Sequence, residues 1–507
     1  MKDKTKENQG YEDGTPFPEF LIKSIAEQGY SLETSLADLI DNSITAGANE
    51  IEILINTETF PFKLFLADNG IGMDEDALKK NMKFPSSSVD ENRSDNDLGR
   101  FGLGMKTASF AQTRKLTVLS RPKGVVNFAA RTWDVEYLKK KKEWRIIVNT
   151  TIEVEEILTE YISLSKGFSK EFDGFEANTI IQWEGLYKFD EYLEGTNRSD
   201  SLKRQITETT TEYLSLVFHR FLEDQYKPIK IRVNNTLLTS FNPFPITETD
   251  VRLIESKQKP FKNDVIKLEG FVMPSRSLEE SKEINNIWTT KSRGLMDMEG
   301  IYIYRANRII LFGGWNGIIR KSPRLQLARL RVEIGNKIDQ HMHLNVAKSQ
   351  ITIPYDLNYG FLKYIAELKE QAIKEYYNRG LRKISSKKAD GIPQLFERIS
   401  SSKGPILELN KNYPNIQLLL SELNPEQQKL FNVLMRMINR SVNILKQTHV
   451  DKNYFTESEI EHDSEISTTI QKLLENGTDK AIIKEIILPS LGYHIDTIPD
   501  HITHLLN

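Results

Sequence analysis

Asp38 and Asn42 stand four residues apart in the stretch Leu32-Glu-Thr-Ser-Leu-Ala-Asp38-Leu-Ile-Asp-Asn42-Ser-Ile-Thr-Ala-Gly47. On a helix that spacing stacks two side chains one above the other, so a carboxylate and an amide can address one ligand. The carboxylate can take a proton from an attacking water, and the amide oxygen can complete an octahedral magnesium shell without adding charge. Asp68-Asn-Gly70-Ile-Gly72-Met73 follows at short range. A single carboxylate there can accept a hydrogen bond from the amino group of adenine, and the glycines let the backbone approach the ring and bend past it. Gly99-Arg-Phe-Gly102-Leu103-Gly104-Met105-Lys106-Thr107 then offers bare amides for phosphate oxygens and a lysine point charge. It is not a Walker loop, because Met105 separates Gly104 from Lys106. Taken singly, these pieces also read as a polar helix face, a tight turn and a glycine-rich loop. Taken together they describe one site for a magnesium-bound nucleotide.

The elements that must position these groups are written in the hydrophobic spacing. Leu32, Leu36, Leu39, Ile40 and Ile44 share one stripe of a predicted helix, with Ser35, Asp38, Asn42 and Thr45 opposite and Gly47 as its stop. Ile51, Ile53 and Ile55 alternate as in a strand, and a turn over 57–61 leads into a second strand over 63–67. Short helices are predicted over 20–28 and 74–83, the latter with Asp74, Glu75 and Asp76 at its positive end. Residues 85–97 form a polar loop, strands follow over 116–120, 125–132 and 144–149, and the lysine run 139–142 reads as a solvated turn. A strand over 178–183 closes the layer and a helix over 201–223 leads out, which makes an α+β sandwich of a sheet covered by helices. From about 228 the pattern turns to strands, over 229–233, 265–272, 300–310, 324–334 and 344–353, and predicts a second α+β domain. From Tyr359 onward it is helical, as in Leu430, Val433, Leu434, Met437, Ile438 and Leu445. The predicted division is a flexible arm 1–18, a nucleotide domain 19–222, a second domain 223–358 and a helical C-terminal region 359–507.

With 507 residues the chain exceeds one core, and 39% hydrophobic with 27% charged residues is an ordinary globular composition. The absence of cysteine excludes disulfides, thiolate zinc sites and cysteine nucleophiles. A net charge of -3 gives no global basic field, so any nucleic-acid contact must be local. No apolar run approaches the roughly 18 residues of a membrane span, and the first residues lack a secretory signal, so a cytoplasmic protein without membrane contact is expected.

The ordered set of an acidic residue four before an Asn on a helix, Asp-x-Gly-x-Gly, a polar loop and Gly-x-x-Gly-x-Gly resembles the GHKL ATPases, the superfamily of gyrase, 90-kDa heat-shock chaperones, histidine kinases and MutL. It covers roughly residues 15–190. The resemblance implies a Bergerat α/β sandwich with ATP and magnesium as cofactors. It assigns Asn42 to the metal, Asp68 to adenine beside Gly70, Gly72 and Met73, and Asn81 to a nucleotide contact. Gly99, Gly102, Leu103, Gly104, Met105, Lys106 and Thr107 fall to the phosphates, 85–98 to an ATP lid, and Thr179 to the surroundings of the base. Asn178 stands where a glycine is often found. Asp38 stands where the ATPase branches carry Glu. One methylene less displaces the base by about 1 Å, which can cost on the order of 100-fold, so slow hydrolysis is expected. Glu33 lies off Asn42's side of the helix. A histidine kinase is disfavoured because the first histidine is His219.

Further on, Gly300-Ile-Tyr-Ile-Tyr304-Arg-Ala-Asn307-Arg308 resembles the transducer domain of MORC and MutL proteins. His343-Leu-Asn345-Val-Ala-Lys348 is similar to the MutL segment whose lysine reaches the terminal phosphate, which gives Lys348 a catalytic part. The segment 102–110 is closer to MORC. The implied protein is a MORC-like ATP-gated homodimeric clamp, with DNA and co-encoded defence proteins as partners in a prokaryotic anti-phage or restriction system. A heat-shock-type chaperone and a nucleotide-gated scaffold with little hydrolysis remain alternatives. Asp339-Gln340-His341 matches the start of the MutL endonuclease motif by chance, and Arg379, Arg382, Lys383, Lys387 and Lys388 read as a solvated linker.

Overall fold

The computed structural model describes residues 14–84 (without 28 and 59), 104–165, 174–190, 194–338 (without 235 and 263), 341–345 (without 343), 351–385, 395–447 (without 402 and 403), 463–488 (without 476 and 478) and 500–506. The chain divides into two compact units, Met1–Ala372 and Ile373–Asn507.

The first unit opens with α1 (Pro18–Ala26) and α2 (Leu32–Thr45). A capping box starts α2: Ser31 Oγ accepts from the Thr34 amide, and the Ser31 amide donates to Thr34 Oγ1 at 3.0 Å. Gly47, at φ +74°, ends it as the sequence predicts. Leu36, Leu39 and Ile40 are buried in one core with Ile51, Ile53, Leu64 and Leu66. Those strand residues belong to β1 (Glu50–Asn56) and β2 (Lys63–Asp68), which pair antiparallel. Next come α3 (Glu75–Met82), α4 (Gly104–Phe110), β3 (Thr113–Ser120), β4 (Ala129–Asp134), α5 (Val135–Lys141), β5 (Ile147–Val148), α6 (Thr151–Ser165) and β6 (Thr179–Leu186). The short helices α7 (Tyr187–Asp190), α8 (Gly195–Arg204), α9 (Thr211–Val217) and α10 (His219–Leu222) lead to β7 (Lys230–Val233) and β8 (Thr236–Leu237). The sheet order is β5-β4-β3-β6-β2-β1-β7-β8, with only β1·β7 parallel among its pairs.

The second sheet contains β9 (Arg252–Leu253), β10 (Lys257–Phe261), β11 (Asp264–Val272), β12 (Gly300–Arg305), β13 (Arg308–Phe312) and β14 (Ala328–Ile334), ordered β10-β11-β14-β12-β13 with β9 beside β11. Single turns α11 (Ser277–Glu280) and α12 (Leu295–Met298) lie between β11 and β12, and the long α13 (Tyr355–Ser385) follows β14. Tyr364 of α13 accepts the Gly270 amide at 2.8 Å and donates to the Glu255 carbonyl at 2.9 Å, fixing the helix to β11.

The second unit holds a hairpin, β15 (Phe396–Ser401) and β16 (Gly404–Leu409), then α14 (Pro414–Glu422), α15 (Pro425–Gln447), α16 (Asp463–Glu475), α17 (Lys480–Ile482) and α18 (Asp500–Leu506). Asn443 of α15 satisfies both the amide and the carbonyl of Leu407, at 3.0 and 2.7 Å. No helix among the described residues is long and apolar enough to cross a membrane.

Several expectations change. The strand near 230 joins the first sheet beside β1, because Ile231 and Val233 belong to the same core as Ile51 and Ile53. The lysine run 139–142 is a capped helix end: Asp134 accepts the Tyr137 amide at 3.0 Å, and Lys142 closes the helix in the left-handed region at φ 59°. The single strand expected over 300–310 is a hairpin with a two-residue turn at Ala306-Asn307, both at positive φ. No strand forms among the described residues of 344–353. The C-terminal region is not wholly helical, since Gly404-Pro405 stops a helix and Leu407 is buried within the hairpin.

Candidate functional site

Strand β2 ends at Asp68, and the groups around that carboxylate define the site. Its register partner on β6 is Thr179. Ser43 Oγ, on α2, donates to Oδ2 at 2.8 Å, and the Gly70 amide donates to Oδ1 at 2.9 Å. Burial raises the Asp68 pKa above the usual carboxylate value, while the Gly70 amide and Ser43 hydroxyl pull it down. Each carboxylate oxygen accepts about two hydrogen bonds, so Asp68 keeps acceptor capacity for an outside donor.

The loop after β2 depends on its glycines. A Cβ on Gly70 would meet Asp68 Oδ1 at 2.9 Å and the Ala46 carbonyl oxygen at 3.0 Å. Gly72 sits at φ +66°, and a side chain there would run into the Arg121 carbonyl. The Ile71 amide donates to the Ala46 carbonyl at 3.0 Å, tying the loop to the end of α2. Asn178, just before β6, holds the same loop: its Nδ2 donates to the Gly70 carbonyl at 2.7 Å and the Asn69 carbonyl at 3.3 Å. Asn178 therefore acts as a clip on the glycine turn. Ser120 Oγ joins three pieces, accepting the Met73 amide at 2.9 Å, sharing a 2.9 Å bond with Thr179 Oγ1, and donating to the Asn178 carbonyl at 3.2 Å.

Asp38 and Asn42 project from α2 with different surroundings. Asp38 is only 1% exposed. Tyr30 donates to its Oδ2 at 2.7 Å, and Arg308 Nη1 lies 3.6 Å from Oδ1. Burial, then the Asp38 charge, drives the Tyr30 pKa far above the phenol range, so the tyrosine is a lasting donor. A Cβ on Gly104 would stand 3.6 Å from Asp38 Oδ2, which places the start of α4 against the same carboxylate. Asn42 is exposed, and no partner among the described residues holds its side-chain amide. That open amide oxygen, one helical turn from Asp38, fits the single protein ligand of a magnesium ion bound mainly by phosphate oxygens. No group of three or more His, Asp or Glu side chains among the described residues suits a metal by itself.

Lys106 does not point outward as a phosphate charge would. Its Nζ donates to the carbonyls of Asn81 and Lys83 at 2.8 and 2.7 Å, closing the end of α3, and burial pushes its pKa down to about 8. Asn81 Nδ2 reaches Met73 Sδ at 3.4 Å and the Ala77 carbonyl at 3.0 Å. Met105 packs against the main core, and Thr107 is buried beneath Tyr30, its Oγ1 3.5 Å from the phenol oxygen. Gly99, Gly102, Leu103, the lid segment 85–98 and Lys348 lie outside the described residues, as do Asp339, Gln340 and the side chains of the basic cluster 379–388. Glu33 binds Gln205 Nε2 at 3.0 Å, away from Asn42's role.

Sequence reasoning missed Ser43, Tyr30, Asp41 and Arg308. Ser43 falls on the apolar side of α2 with Leu36, Leu39 and Ile40, so its spacing reads as a core position and not as a site residue. Nothing in the spacing linked Arg308 to a carboxylate so far away in the chain.

Residues 30–167 match the model of the family described as histidine kinase-, DNA gyrase B-, and HSP90-like ATPase. No curated protein matches the chain. The matched segment carries Tyr30, Asp38, Asn42, Asp68, Gly70 and Gly72, and supports a GHKL-type ATP-binding domain in this part of the molecule.

Proposed function

We propose that the chain is a MORC-like GHKL ATPase that binds magnesium-ATP through the end of β2 and hydrolyses it slowly, using the nucleotide as a conformational switch. The observation that carries this reading is the meeting of Asp68 at the end of β2 with Thr179 of β6, Ser43 of α2 and a tightly packed glycine turn, with Asp38 and Asn42 on the same helix as Ser43. Asp68 would accept the adenine amino group, with Thr179 and the Gly70–Gly72 backbone beside the base. Asn42 would ligate magnesium, which when bound neutralises phosphate charge. Asp38, held by Tyr30, would take the proton of the attacking water. Gly99, Gly102, Gly104 and Lys348 are assigned to the phosphates by the resemblance alone. The same analogy proposes an ATP-gated homodimer acting on DNA with co-encoded defence proteins.

A second reading, a nucleotide-gated scaffold with scant hydrolysis, draws on Asp38 itself, whose short carboxylate is buried and engaged by Tyr30 and Arg308. ATP turnover by the wild type and Asp38→Asn, with and without double-stranded DNA at two salt concentrations, separates the two. Turnover that needs Asp38 and rises with DNA, more so at low salt, is the expected result. Tight ATP binding with equal, negligible turnover in both proteins would establish the scaffold, and stimulation by unfolded protein instead of DNA would establish the chaperone.

A further inference from the structure

Arg308 is the first residue of β13, just past the Ala306-Asn307 turn of the β12–β13 hairpin. Its guanidinium is fully enclosed. One nitrogen, Nη1, stands between two carboxylates of α2, 2.5 Å from Asp41 Oδ2 and 3.6 Å from Asp38 Oδ1. The Phe218 ring covers the guanidinium carbon at 5.6 Å from its centroid. Burial alone would lower the Arg308 pKa, but the Asp41 and then the Asp38 charges more than offset it, so the guanidinium stays charged. The hairpin that carries it is gripped independently: Arg220 of α10 donates to Asn307 Oδ1 at 3.3 Å and pairs with Glu333 of β14.

Two buried aspartates one turn apart repel unless a cation lies between them, and that cation comes from the other sheet. We propose that Arg308 is the positioning residue for Asp38: anchored by Asp41, it sets where the Asp38 carboxylate stands and makes ATP hydrolysis depend on how the β12–β13 hairpin is seated on α2. This rests on the reading of Asp38 as the proton acceptor. Tyr30 donates to one oxygen of the carboxylate and Arg308 approaches the other, so loss of the arginine removes the positive charge that faces Oδ1 and lets the group shift from the place that the pair sets. The adenine end of the site, at Asp68 and Thr179, makes no contact with Arg308 and is left intact.

The test measures kcat and the dissociation constant for ATP in the full-length wild type, Asp38→Asn, Arg308→Lys, Asp41→Asn and the Arg308→Lys/Asp41→Asn pair. A lysine cannot reproduce the arginine's placement between two carboxylates, and a displacement of about 1 Å at a reacting centre costs up to about 100-fold. Arg308→Lys is therefore expected to lower kcat by about 10- to 100-fold with ATP affinity within about 2-fold of wild type. Asp41→Asn is expected to lower kcat alone by a smaller factor, and the double variant to be no worse than Arg308→Lys, because both act through one path. If Arg308→Lys does not fold, the isosteric Asp41→Asn carries the same kcat-only expectation. Wild-type turnover in Arg308→Lys, a parallel loss of affinity and thermal stability, or multiplicative single effects would each overturn the proposal while leaving Asp38→Asn inactive. Failure of the underlying reading looks different: no ATP bound by wild type, or Asp38→Asn as active as wild type, removes the base and its positioning residue together.

Discussion

A carboxylate proposed to read a base must be dry and held still, and Asp68 is both. It is 4% exposed, with one hydrogen bond fixed to each oxygen before any ligand arrives. Asp68→Asn still offers an oxygen to the Gly70 amide, and the Ser43 hydroxyl can turn to accept from the new amide, so what is lost is the second acceptor and the charge proposed to receive the adenine amino group. ATP affinity measured by calorimetry is expected to fall at least about 10-fold, the cost of an unmet buried hydrogen bond, with the fold retained. The raised Asp68 pKa has consequences of opposite sign for binding and stability. Between the ordinary aspartate value and the raised one, the folded chain holds a proton that the unfolded chain does not. Acidification through that window therefore adds a stabilising contribution from this group while removing the anion proposed to accept from adenine. Lys106 teaches a different lesson at this scale. A lysine after glycines suggests a phosphate ligand, yet two helix-end carbonyls claim it here, and local sequence contains no sign of that competition.

At the scale of elements, the strands and helices around the site were legible because each pairs a regular apolar period with a recognisable stop. Leu32 to Ile44 ending at Gly47 and the alternation of Ile51, Ile53 and Ile55 are the clearest cases. What was not legible depends on tertiary partners. β7 reads as the start of a new layer until β1 is seen beside it, and β12–β13 reads as one strand because Ala306 is no turn former. The same holds for α10, where His219 Nε2 meets the Tyr304 hydroxyl of β12 at 3.0 Å. Burial, with Arg220 and Arg331 nearby, lowers the His219 pKa to about 3. Between its ordinary value and about 3, the unfolded chain takes up a proton that the folded chain excludes, so stability falls as pH drops through that range. About 2 kcal/mol should be lost from this group between pH 7 and pH 5. Denaturant melts at the two pH values check it: His219→Gln is expected to show a smaller pH difference than wild type, and an equal difference would assign the acid sensitivity elsewhere.

On the scale of the whole molecule, the first unit contains two sheets but no obvious seam. Arg308 with Asp41, His219 with Tyr304, Arg220 with Glu333, and the Tyr213 ring 5.9 Å from Phe312 all join helices of the first layer to strands of the second. Interfaces pinned by buried charge resist partial opening, because separation strands an unpaired ion. Calorimetry is therefore expected to give one cooperative transition for Met1–Ala372, with Arg220→Ala lowering its midpoint without splitting it. Two resolved transitions within that unit would mean that the sheets melt separately. The parallel pairing of β1 with β7 adds a mechanical meaning. The β7–β8 hairpin is the last part of the first sheet before the chain enters the second, β1 is zipped to β7, and β2, zipped to β1, ends in Asp68. A displacement of the second sheet that reaches β7 would pass through two hydrogen-bonded ladders, β7 to β1 and β1 to β2, before it reached the residue proposed to grip the base.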